Sequence, residues 1–334
     1  MTEPTIDVVI PLYNMERFVE AAIRSVLEQT LSPGKILVVN DGSTDNGPLL
    51  VSELARHDAR IVLLNGPNQG LSAARNKGIA ASEASHIAFL DSDDIWLPEK
   101  LERQRACLMH TPDVSFVHCG AGFIDEQGQQ RNDLPLRIPT GAPGFNAIRL
   151  GDYAVTGSAS AVVARRDLLK KIGGFTLPIR RGEDWDVWAR LAERGTVNAV
   201  HDVLTMIRTT PQSATRGISA LDAAKSRMYS RAAVAEQWKN DTVFMAESRK
   251  RLREETWLAA RWLLWRPAEM QALYHELRGH PSALVNTLFA SPVDFIGFVI
   301  AGIGKTGRDI LRPGEVKRLW QRLREEKAHS SKRG

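Results

Sequence analysis

The chain has 334 residues and a formal net charge of +5, with 43% hydrophobic and 25% charged residues. These values are typical of a soluble globular protein, and they exclude disorder, collagen-like repeats and a disulfide scaffold as starting interpretations. Two cysteines, Cys107 and Cys119, form no CxxC pair. We expect both to be small buried side chains in a reducing compartment.

The positive charge is concentrated at the C-terminal end of the sequence. Residues 305–334 include ten Lys/Arg and four Asp/Glu, a local balance of +6, so residues 1–304 carry 5 − 6 = −1. This distribution argues against a nucleic-acid groove in the main domain, and we expect no nucleic-acid partner. The first four residues lack the basic stretch and apolar core of a signal peptide, which predicts a cytoplasmic location.

The first two hundred residues alternate short apolar runs with helical patterns. Helices are predicted after a cap at Asn14, over residues 70–81, and from Pro98 to Met109. Strands are predicted at residues 6–10, 36–39, 61–64 and 86–90. This alternation predicts an α/β fold, in which a parallel sheet carries helices on both faces.

Acidic residues follow two of the predicted strands. Asp41 comes after the second strand, and the run Asp91-Ser92-Asp93-Asp94 comes directly after the fourth. Ligands of such sheets bind beyond the carboxyl ends of the strands. Three carboxylates within four residues repel one another unless a cation or hydrogen-bond donors compensate, and oxygen ligands suit Mg²⁺ or Mn²⁺. Considered alone, the run is better explained as a turn before a helix, where aspartate is favoured.

The remaining sequence is less regular. A hairpin is predicted around Asp125–Gln129, and the Pro/Gly-rich residues 134–144 form either a surface connection or a loop that moves near the site. After about Arg216 the pattern becomes helical with few strand signals. We therefore predict a first domain over residues 1–215 and a mostly helical C-terminal region over residues 216–334.

Two segments of the C-terminal region have a distinct composition. Residues 293–303 are strongly apolar, but polar residues and a proline close by favour a buried or interfacial helix over a membrane span. Residues 316–324 have the pattern of a basic amphipathic helix that includes Trp320. This helix would either pack on its own domain or lie on an anionic membrane surface, which would attach the protein peripherally to the inner face of the plasma membrane.

Four sequence blocks carry a resemblance to a known family. They are VVIPLYN at 8–14, NDGSTD at 40–45, NQGLSAARN at 68–76 and DSDD at 91–94. In this order and spacing they resemble the family 2 glycosyltransferases over roughly residues 5–213. The resemblance implies a GT-A type nucleotide-binding sheet flanked by helices, followed here by the mostly helical C-terminal extension.

The resemblance also implies roles in binding a nucleotide-sugar donor. Asp41 would accept the N–H of a uracil ring, in a slot formed by Pro11 and Tyr13. Arg75 would contact the diphosphate or the base, although a surface ion pair explains this arginine as well. Asp93 is the best candidate for a ligand of Mn²⁺ or Mg²⁺. Asp91 would assist through the ribose or the metal, while Asp94 orients the following turn.

A second acidic block, RGEDWDVW at residues 181–188, lies at a predicted helix start. Acidic residues are favoured in a first helical turn without any catalytic role. The family has an acidic pair here whose aspartate is the catalytic base, which corresponds to Asp184, with Glu183 as the second candidate. Trp185 would form part of the acceptor wall. Gly157 lies where the family often meets its acceptor, although the start of a strand also explains this glycine.

Three further residues have structural interpretations. Trp188 is expected in the core, Asn76 is expected to connect loops, and Arg208 is expected in a structural ion pair in preference to a contact with the diphosphate. At residue 210 the chain has threonine where the family often has histidine.

The resemblance implies an inverting, metal-dependent hexosyltransferase. It would move a sugar from a nucleotide-sugar donor, expected to be UDP-linked, to a hydroxyl of a glycan or lipid-linked acceptor in bacterial surface polysaccharide synthesis. A catalytically inactive nucleotide-sugar-binding or scaffold protein is the open alternative. Residues 11–14 are not a glycine-rich loop with a basic residue, which disfavours a sugar-phosphate nucleotidyltransferase. The eight histidines form no HExxH motif, which disfavours zinc chemistry.

Overall fold

The structure is a computed structural model. It describes residues 3–111, 113–139, 141–151, 155–156, 158–177, 182–210, 228, 230–232 and 234–263, with side chains described up to residue 252. Contacts between Cα atoms group the chain into two units, Met1–Gly217 and Ile218–Gly334. Each unit is described by itself.

The first unit contains one mixed sheet and seven named helices among its described residues. The strands are β1 (Ile6–Leu12), β2 (Ile36–Asp41), β3 (Ile61–Gly66), β4 (His86–Phe89), β5 (Ile95–Trp96), β6 (Val114–Ile124), β7 (Val162–Arg165) and β8 (Thr196–Arg208). The helices are α1 (Val19–Leu27), α2 (Gly47–His57), α3 (Leu71–Ala81), α4 (Lys100–His110), α5 (Phe145–Arg149), α6 (Arg166–Lys171) and α7 (Glu183–Ala192). A 3₁₀ turn, Ala159–Ala161, precedes β7 directly.

The strand order of the sheet is β3-β2-β1-β4-β7-β6-β8-β5. The four strands predicted from the sequence form its parallel half, in which β1 pairs with both β2 and β4. The prediction of a parallel sheet is wrong for part of the other half. There β7 runs antiparallel to β4 and β6, and β5 runs antiparallel to β8, whereas β6 and β8 pair in parallel. The fold is therefore α/β with a mixed sheet.

Helices cover both faces of the sheet, as the alternation of side chains along β1 shows. Val8, Ile10 and Leu12 share a core cluster with apolar residues of α1 and α4. Val9 points to the other face, against Gly78 of α3, where an added Cβ would lie 2.4 Å from Val9 Cγ1. A glycine at this point lets α3 approach the strand closely, which gives a packing reason for the small residues of this helix.

Aromatic side chains pack on the face of the sheet to which Val9 and Phe89 point. Trp188 of α7 is 2% exposed, which confirms its predicted place in the core. Its ring centroid lies 5.3 Å from that of Phe116 and 6.0 Å from those of Phe89 and Phe175. Because Phe89 ends β4, this cluster fixes α7 against the strand that leads into Asp91.

Two predicted helix starts are wrong. Asn14 does not cap α1, which begins at Val19; its Oδ1 accepts the backbone N–H of Thr44 at 2.8 Å, and Asn14 has a φ of 53°. Pro98 lies two residues before α4, which begins at Lys100. The hairpin is confirmed, since Asp125 N donates to Gln129 O at 2.9 Å.

Both cysteines are free thiols: Cys119 is buried and Cys107 is half-buried. Burial raises the pKa of each thiol above its ordinary value, which makes the reactive thiolate scarce at neutral pH. This agrees with the expectation of small core side chains.

The second unit includes one long described helix, α8 (Thr242–Leu263). In the part of the chain that the structure describes, no helix has the length and apolar character needed to cross a membrane. The apolar segment 293–303 and the basic segment 316–324 lie outside the described residues.

Candidate active site

The carboxyl ends of three neighbouring parallel strands meet at one edge of the sheet. β2 ends at Asp41, β1 ends at Leu12 one residue before Tyr13, and β4 ends at Phe89 two residues before Asp91. Leu12 is paired with Asn40 in the register between β1 and β2. The fold therefore brings Tyr13, Asp41 and Asp91 to one edge of the sheet, although the first and the last are about eighty positions apart in the sequence.

Arg75 of α3 joins two of the acidic blocks. Its side chain is 2% exposed, and its guanidinium donates from Nη2 to Asp91 Oδ1 at 2.7 Å and from Nη1 to Glu183 Oε1 at 2.9 Å. The Arg75 guanidinium also lies over the Phe175 ring, 5.1 Å from its centroid. Burial acts to lower the pKa of Arg75, but Asp91 and Glu183 raise it above its ordinary value. Arg75 thus forms two buried salt bridges in the middle of the site and not a surface ion pair.

Asp94 is the anchor of the Asp91–Asp94 turn. It is 3% exposed and accepts hydrogen bonds at Oδ2 from Ser160 Oγ at 2.6 Å and at Oδ1 from Arg208 N at 2.9 Å. The Asp94 backbone N–H donates to Asp91 O at 3.0 Å, which closes the turn. Because its carboxylate is committed to β8 and to the 3₁₀ turn, Asp94 has the orienting role expected for it.

Asp93 lies in the same turn, between Asp91, which Arg75 binds, and the buried Asp94. Burial, together with the nearby charge of Asp91, raises the pKa of Asp93 to about 6. Two carboxylates held close in a partly buried place repel each other, and a divalent cation relieves that repulsion. The Asp91 and Asp93 oxygens are the donor chemistry that Mg²⁺ and Mn²⁺ take, usually as one or two carboxylates completed by water and phosphate oxygens.

The described residues do not by themselves form a complete metal cage. No group of three or more His, Cys, Asp or Glu side chains among them is placed to hold a metal ion. Asp91 and Asp93 fit a site of the two-carboxylate type, in which substrate phosphate supplies further ligands.

The predicted base-binding residues lie at the same edge, in different environments. Pro11 is buried inside β1, where it is paired with Val39, whereas the Tyr13 side chain is 47% exposed. Asp41 is buried, and its two carboxylate oxygens accept the backbone N–H groups of Gln69 at 2.7 Å and Gly70 at 2.8 Å. Asp41 thus holds the loop that leads into α3, and each oxygen has a second lone pair for a ligand.

Asp184 lies in the first turn of α7, next to Glu183. Its Oδ1 accepts the backbone N–H of Trp185 at 2.7 Å. Burial raises the pKa of Asp184 above its ordinary value, against the opposing effect of the Arg75 charge. A carboxylate with a raised pKa is a better proton acceptor, which suits a general base.

Glu183, the second candidate for the base, is engaged by Arg75 as described above. Its position favours a role in holding Arg75 over one in proton transfer.

Trp185 extends from α7 toward α5. Its indole Nε1 donates to Ile148 O at 2.6 Å, and its ring lies against Gly151, where a Cβ would be 2.6 Å from Trp185 Cζ2. Gly157, the other predicted acceptor residue, lies outside the described residues.

Arg208 has a structural role. Its Nε donates to Asp93 O at 2.8 Å, and its Nη1 donates to Asp125 O at 2.8 Å and to Glu126 O at 3.1 Å. The guanidinium thus connects the Asp91–Asp94 turn to the hairpin turn that begins at Asp125. Asn76 connects loops as expected, because its amide exchanges two hydrogen bonds with the Phe175 backbone at 2.7 and 2.8 Å.

Sequence reasoning missed Ser160, whose hydroxyl contacts the Asp91–Asp94 turn directly. The serine lies 66 residues after Asp94 in a short Ala-Ser-Ala segment that has no distinctive pattern. No local signal in the sequence marks this residue.

A cavity of about 950 Å³ lies elsewhere on the first unit. It is lined by residues at the amino ends of β1 and β4, among them Thr5, His86 and Lys170. This is the edge of the sheet opposite the carboxylates, so the cavity is not part of the candidate active site.

Comparison with known families agrees with this geometry. The sequence pattern of the family described as Glycosyl transferase family 2 matches residues 7–173, which include the first four site blocks and half of the chain. The chain belongs to the family 2 glycosyltransferases. The matched region ends before α7, so this match does not include Glu183, Asp184 and Trp185.

Similar proteins are known from several bacteria. This glycosyltransferase is 44% identical over 135 residues to the uncharacterized glycosyltransferase EpsJ of Bacillus subtilis, a match that covers 40% of this chain and 38% of EpsJ. It is 30% identical over 203 residues to the Escherichia coli UDP-Glc:alpha-D-GlcNAc-diphosphoundecaprenol beta-1,3-glucosyltransferase WfgD, covering 60% of this chain and 75% of WfgD. Matches to EpsJ and to two Rickettsia glycosyltransferases span only 29–38% of those relatives.

Solved structures share the fold. The crystal structure of Staphylococcus aureus TarS 1–349 in complex with UDP superposes with a TM-score of 0.59 at 17% identity, covering 92% of this chain and 94% of that one. The likeness establishes the GT-A type sheet flanked by helices for this family 2 glycosyltransferase.

Proposed function

We propose that this protein is an inverting, metal-dependent glycosyltransferase that moves a hexose from a UDP-linked donor to a hydroxyl of a glycan or lipid-linked acceptor. The observation that carries the proposal is the Arg75 bridge, which binds Asp91 at 2.7 Å and Glu183 at 2.9 Å. The bridge joins the carboxylates expected at the diphosphate to the helix turn that carries Asp184. One site thus combines groups suited to holding a leaving group and to accepting a proton.

The proposed donor site uses the edge formed by β1, β2 and β4. Pro11 and Tyr13 form the slot for the base, and Asp41 accepts a hydrogen bond from it. Arg75 and Asp91 hold the ribose and diphosphate side of the donor. Asp93 and Asp91 would bind Mn²⁺ or Mg²⁺, and such a cation, when bound, neutralises charge that develops on the departing diphosphate.

The proposed reaction is a single displacement. Asp184 takes the proton of the acceptor hydroxyl while that oxygen forms a bond to the anomeric carbon. The bond from the anomeric carbon to the diphosphate oxygen breaks with its electron pair, and the nucleoside diphosphate leaves. Because attack comes from the face opposite the leaving group, an α-linked donor gives a β-linked product. Trp185, which contacts Ile148 and Gly151, forms part of the acceptor side. Gly157 forms another part.

The relatives support the choice of donor and acceptor class. WfgD is named as an enzyme that uses UDP-Glc and a diphosphoundecaprenol-linked acceptor. TarS has been crystallised with UDP and with UDP-GlcNAc. We therefore propose a UDP-sugar donor, a lipid-linked glycan acceptor and a role in bacterial surface polysaccharide synthesis.

Release of nucleoside diphosphate tests the proposed catalytic role of Asp184. The full chain is incubated with Mn²⁺, a panel of UDP-sugars and undecaprenyl-diphosphate-linked acceptors. Asp184→Asn should lower turnover by about 10²-fold or more, as loss of a general base does, while donor binding stays close to wild type. The control is Asp167→Asn, an exposed aspartate paired with Arg165, which should keep full turnover.

Two outcomes would count against this function. Turnover unchanged in Asp184→Asn would refute the assignment of the base. Donor binding without any transfer or hydrolysis across the panel would favour the alternative of an inactive nucleotide-sugar-binding or scaffold protein.

We also propose that residues 1–215 and 216–334 are distinct domains. A separate proposal concerns the basic segment 316–324, which would attach the protein peripherally to anionic membrane at the cytoplasmic face. The support is the +6 balance of residues 305–334 and Trp320. Co-sedimentation with anionic liposomes should weaken when Lys317 and Arg318 are both changed to glutamate in the full chain. Equal binding by the variant and the wild type would contradict the proposal.

A further inference from the structure

Ser160 is a fully buried serine at the centre of the 3₁₀ turn that precedes β7. Its Oγ accepts the backbone N–H of Asp91 at 3.0 Å and donates to Asp94 Oδ2 at 2.6 Å. A serine hydroxyl has one proton to donate and two lone pairs to accept with, so both bonds form together. The hydroxyl thus contacts the first and last residues of the Asp91–Asp94 turn.

The backbone of Ser160 is held as firmly as its side chain. Its carbonyl oxygen accepts from Trp96 Nε1 at 2.8 Å and from Thr205 Oγ1 at 3.2 Å, and its N–H donates to Ser158 Oγ at 3.2 Å. These partners belong to β5, to β8 and to the start of the same turn. The backbone of Ser160 is therefore held by three elements, which fixes the point from which its hydroxyl reaches the acidic turn.

A second serine completes the support. Ser158 Oγ donates to Asp94 Oδ2 at 3.3 Å, while Asp94 Oδ1 is bound by the Arg208 N–H. The Asp94 carboxylate is thus bound by Ser158, Ser160 and the Arg208 backbone, which leaves the divalent cation to Asp91 and Asp93. The spacing of those two carboxylates is fixed by the shape of the turn.

We infer that Ser160 is a positioning residue, which holds the Asp91–Asp94 turn in the shape that presents Asp91 and Asp93 together to a divalent cation and a nucleoside diphosphate. The inference rests on the proposed function. It assigns the geometry of the cation site to a residue that touches neither the cation nor the sugar donor. Partners that orient ligand residues commonly affect metal affinity about 10–100-fold when they are removed.

The experiment measures Mn²⁺ affinity of the full chain at saturating UDP, with free Mn²⁺ followed by electron paramagnetic resonance. Ser160→Ala removes both hydrogen bonds to the turn. The matched control is Ser115→Ala: Ser115 is equally buried, and its Oγ donates to Thr196 O at 2.9 Å, far from the acidic turn. Both variants lose a buried hydroxyl, so a purely structural role would lower their melting temperatures without separating their Mn²⁺ affinities.

Ser160→Ala is expected to bind Mn²⁺ at least about tenfold more weakly than wild type, and Ser115→Ala is expected to match wild type. Ser158→Ala, at a partly exposed position, is expected to weaken Mn²⁺ binding in the same direction by less. It serves as the deciding variant if Ser160→Ala does not fold.

Equal Mn²⁺ affinity of Ser160→Ala and Ser115→Ala overturns the inference, as does wild-type affinity of Ser158→Ala when Ser160→Ala is unfolded. Failure of the wild-type chain to bind Mn²⁺ with UDP would instead overturn the proposed function itself. The two failures are therefore distinguished by the wild-type measurement.

Discussion

Replacing Arg75 with methionine tests how the two acidic blocks of the active site are held together. The guanidinium is 2% exposed and bridges Asp91, which is 25% exposed, and Glu183, which is 11% exposed. Methionine keeps much of the length and apolar volume of the side chain but removes the charge. Two neighbouring carboxylates then face each other across a partly buried site with no counter-charge.

The expected loss follows from the burial of these groups. Breaking one side of a buried ion pair costs about 3–5 kcal/mol, because the remaining charge stays desolvated. The 25% exposure of Asp91 lets water screen part of this charge, so we expect the lower end of the range, about 3 kcal/mol. For a folded unit of this size, that loss lowers the melting temperature by about 6–12 °C.

Urea unfolding followed by tryptophan fluorescence measures the free energy of unfolding. The control is Arg24→Met, which breaks an exposed pair with Glu20, 57% and 46% exposed, and should cost less than about 1 kcal/mol. Adding Glu183→Gln to Arg75→Met should restore part of the stability by removing one of the unpaired charges. If Arg75→Met loses no more stability than Arg24→Met, the bridge does not hold the site together.

Two further predictions concern residues outside the donor site. Burial lowers the pKa of Lys100 from 10.5 to about 8. Below pH 8 Lys100 is charged in both the folded and the unfolded state, so the burial penalty is fully present. As pH rises from 8 to 10.5, the free energy of unfolding of the wild type should increase by about 3 kcal/mol relative to that of Lys100→Met. Parallel pH profiles of the two proteins in urea unfolding would refute this. Gly151→Ala, at a φ of 70°, places a Cβ 2.6 Å from Trp185, whereas Gly173→Ala, at a similar φ of 78°, meets nothing within 4 Å. Gly151→Ala should therefore be the less stable variant by about 1–3 kcal/mol and raise KM for the acceptor, and equal behaviour of the two variants would refute the contact.

The parallel half of the fold was predictable because its strands are compact apolar runs separated by helical patterns. Ile6–Leu12 and Ile36–Asp41 are buried along their whole length, so their signal does not depend on which face they present. The position of Asp41 and Asp91 at one edge followed from strand direction alone. The antiparallel pairings of β7 were not predictable, because β7 has only four residues and pairs with β6, which lies about forty residues earlier.

Within the site, the type of residue was predictable and its partners were not. The sequence marked Arg75 as a ligand or surface cation, but its two carboxylate partners lie 16 and 108 residues away. Asn14 resembled a helix cap because asparagine is favoured there, yet its amide accepts from Thr44, in the loop after β2. Such long-range hydrogen bonds carry no local periodicity, so they appear only once the fold brings the loops together.

The most direct test of the account is the affinity of the full chain for UDP, measured by calorimetry with and without Mn²⁺. The account predicts that Mn²⁺ tightens UDP binding to the wild type and that Asp93→Asn removes this gain while keeping the fold. Equal UDP affinity with and without Mn²⁺, or no binding of UDP at all, would contradict the assignment of Asp91 and Asp93 to a cation that holds the nucleotide diphosphate.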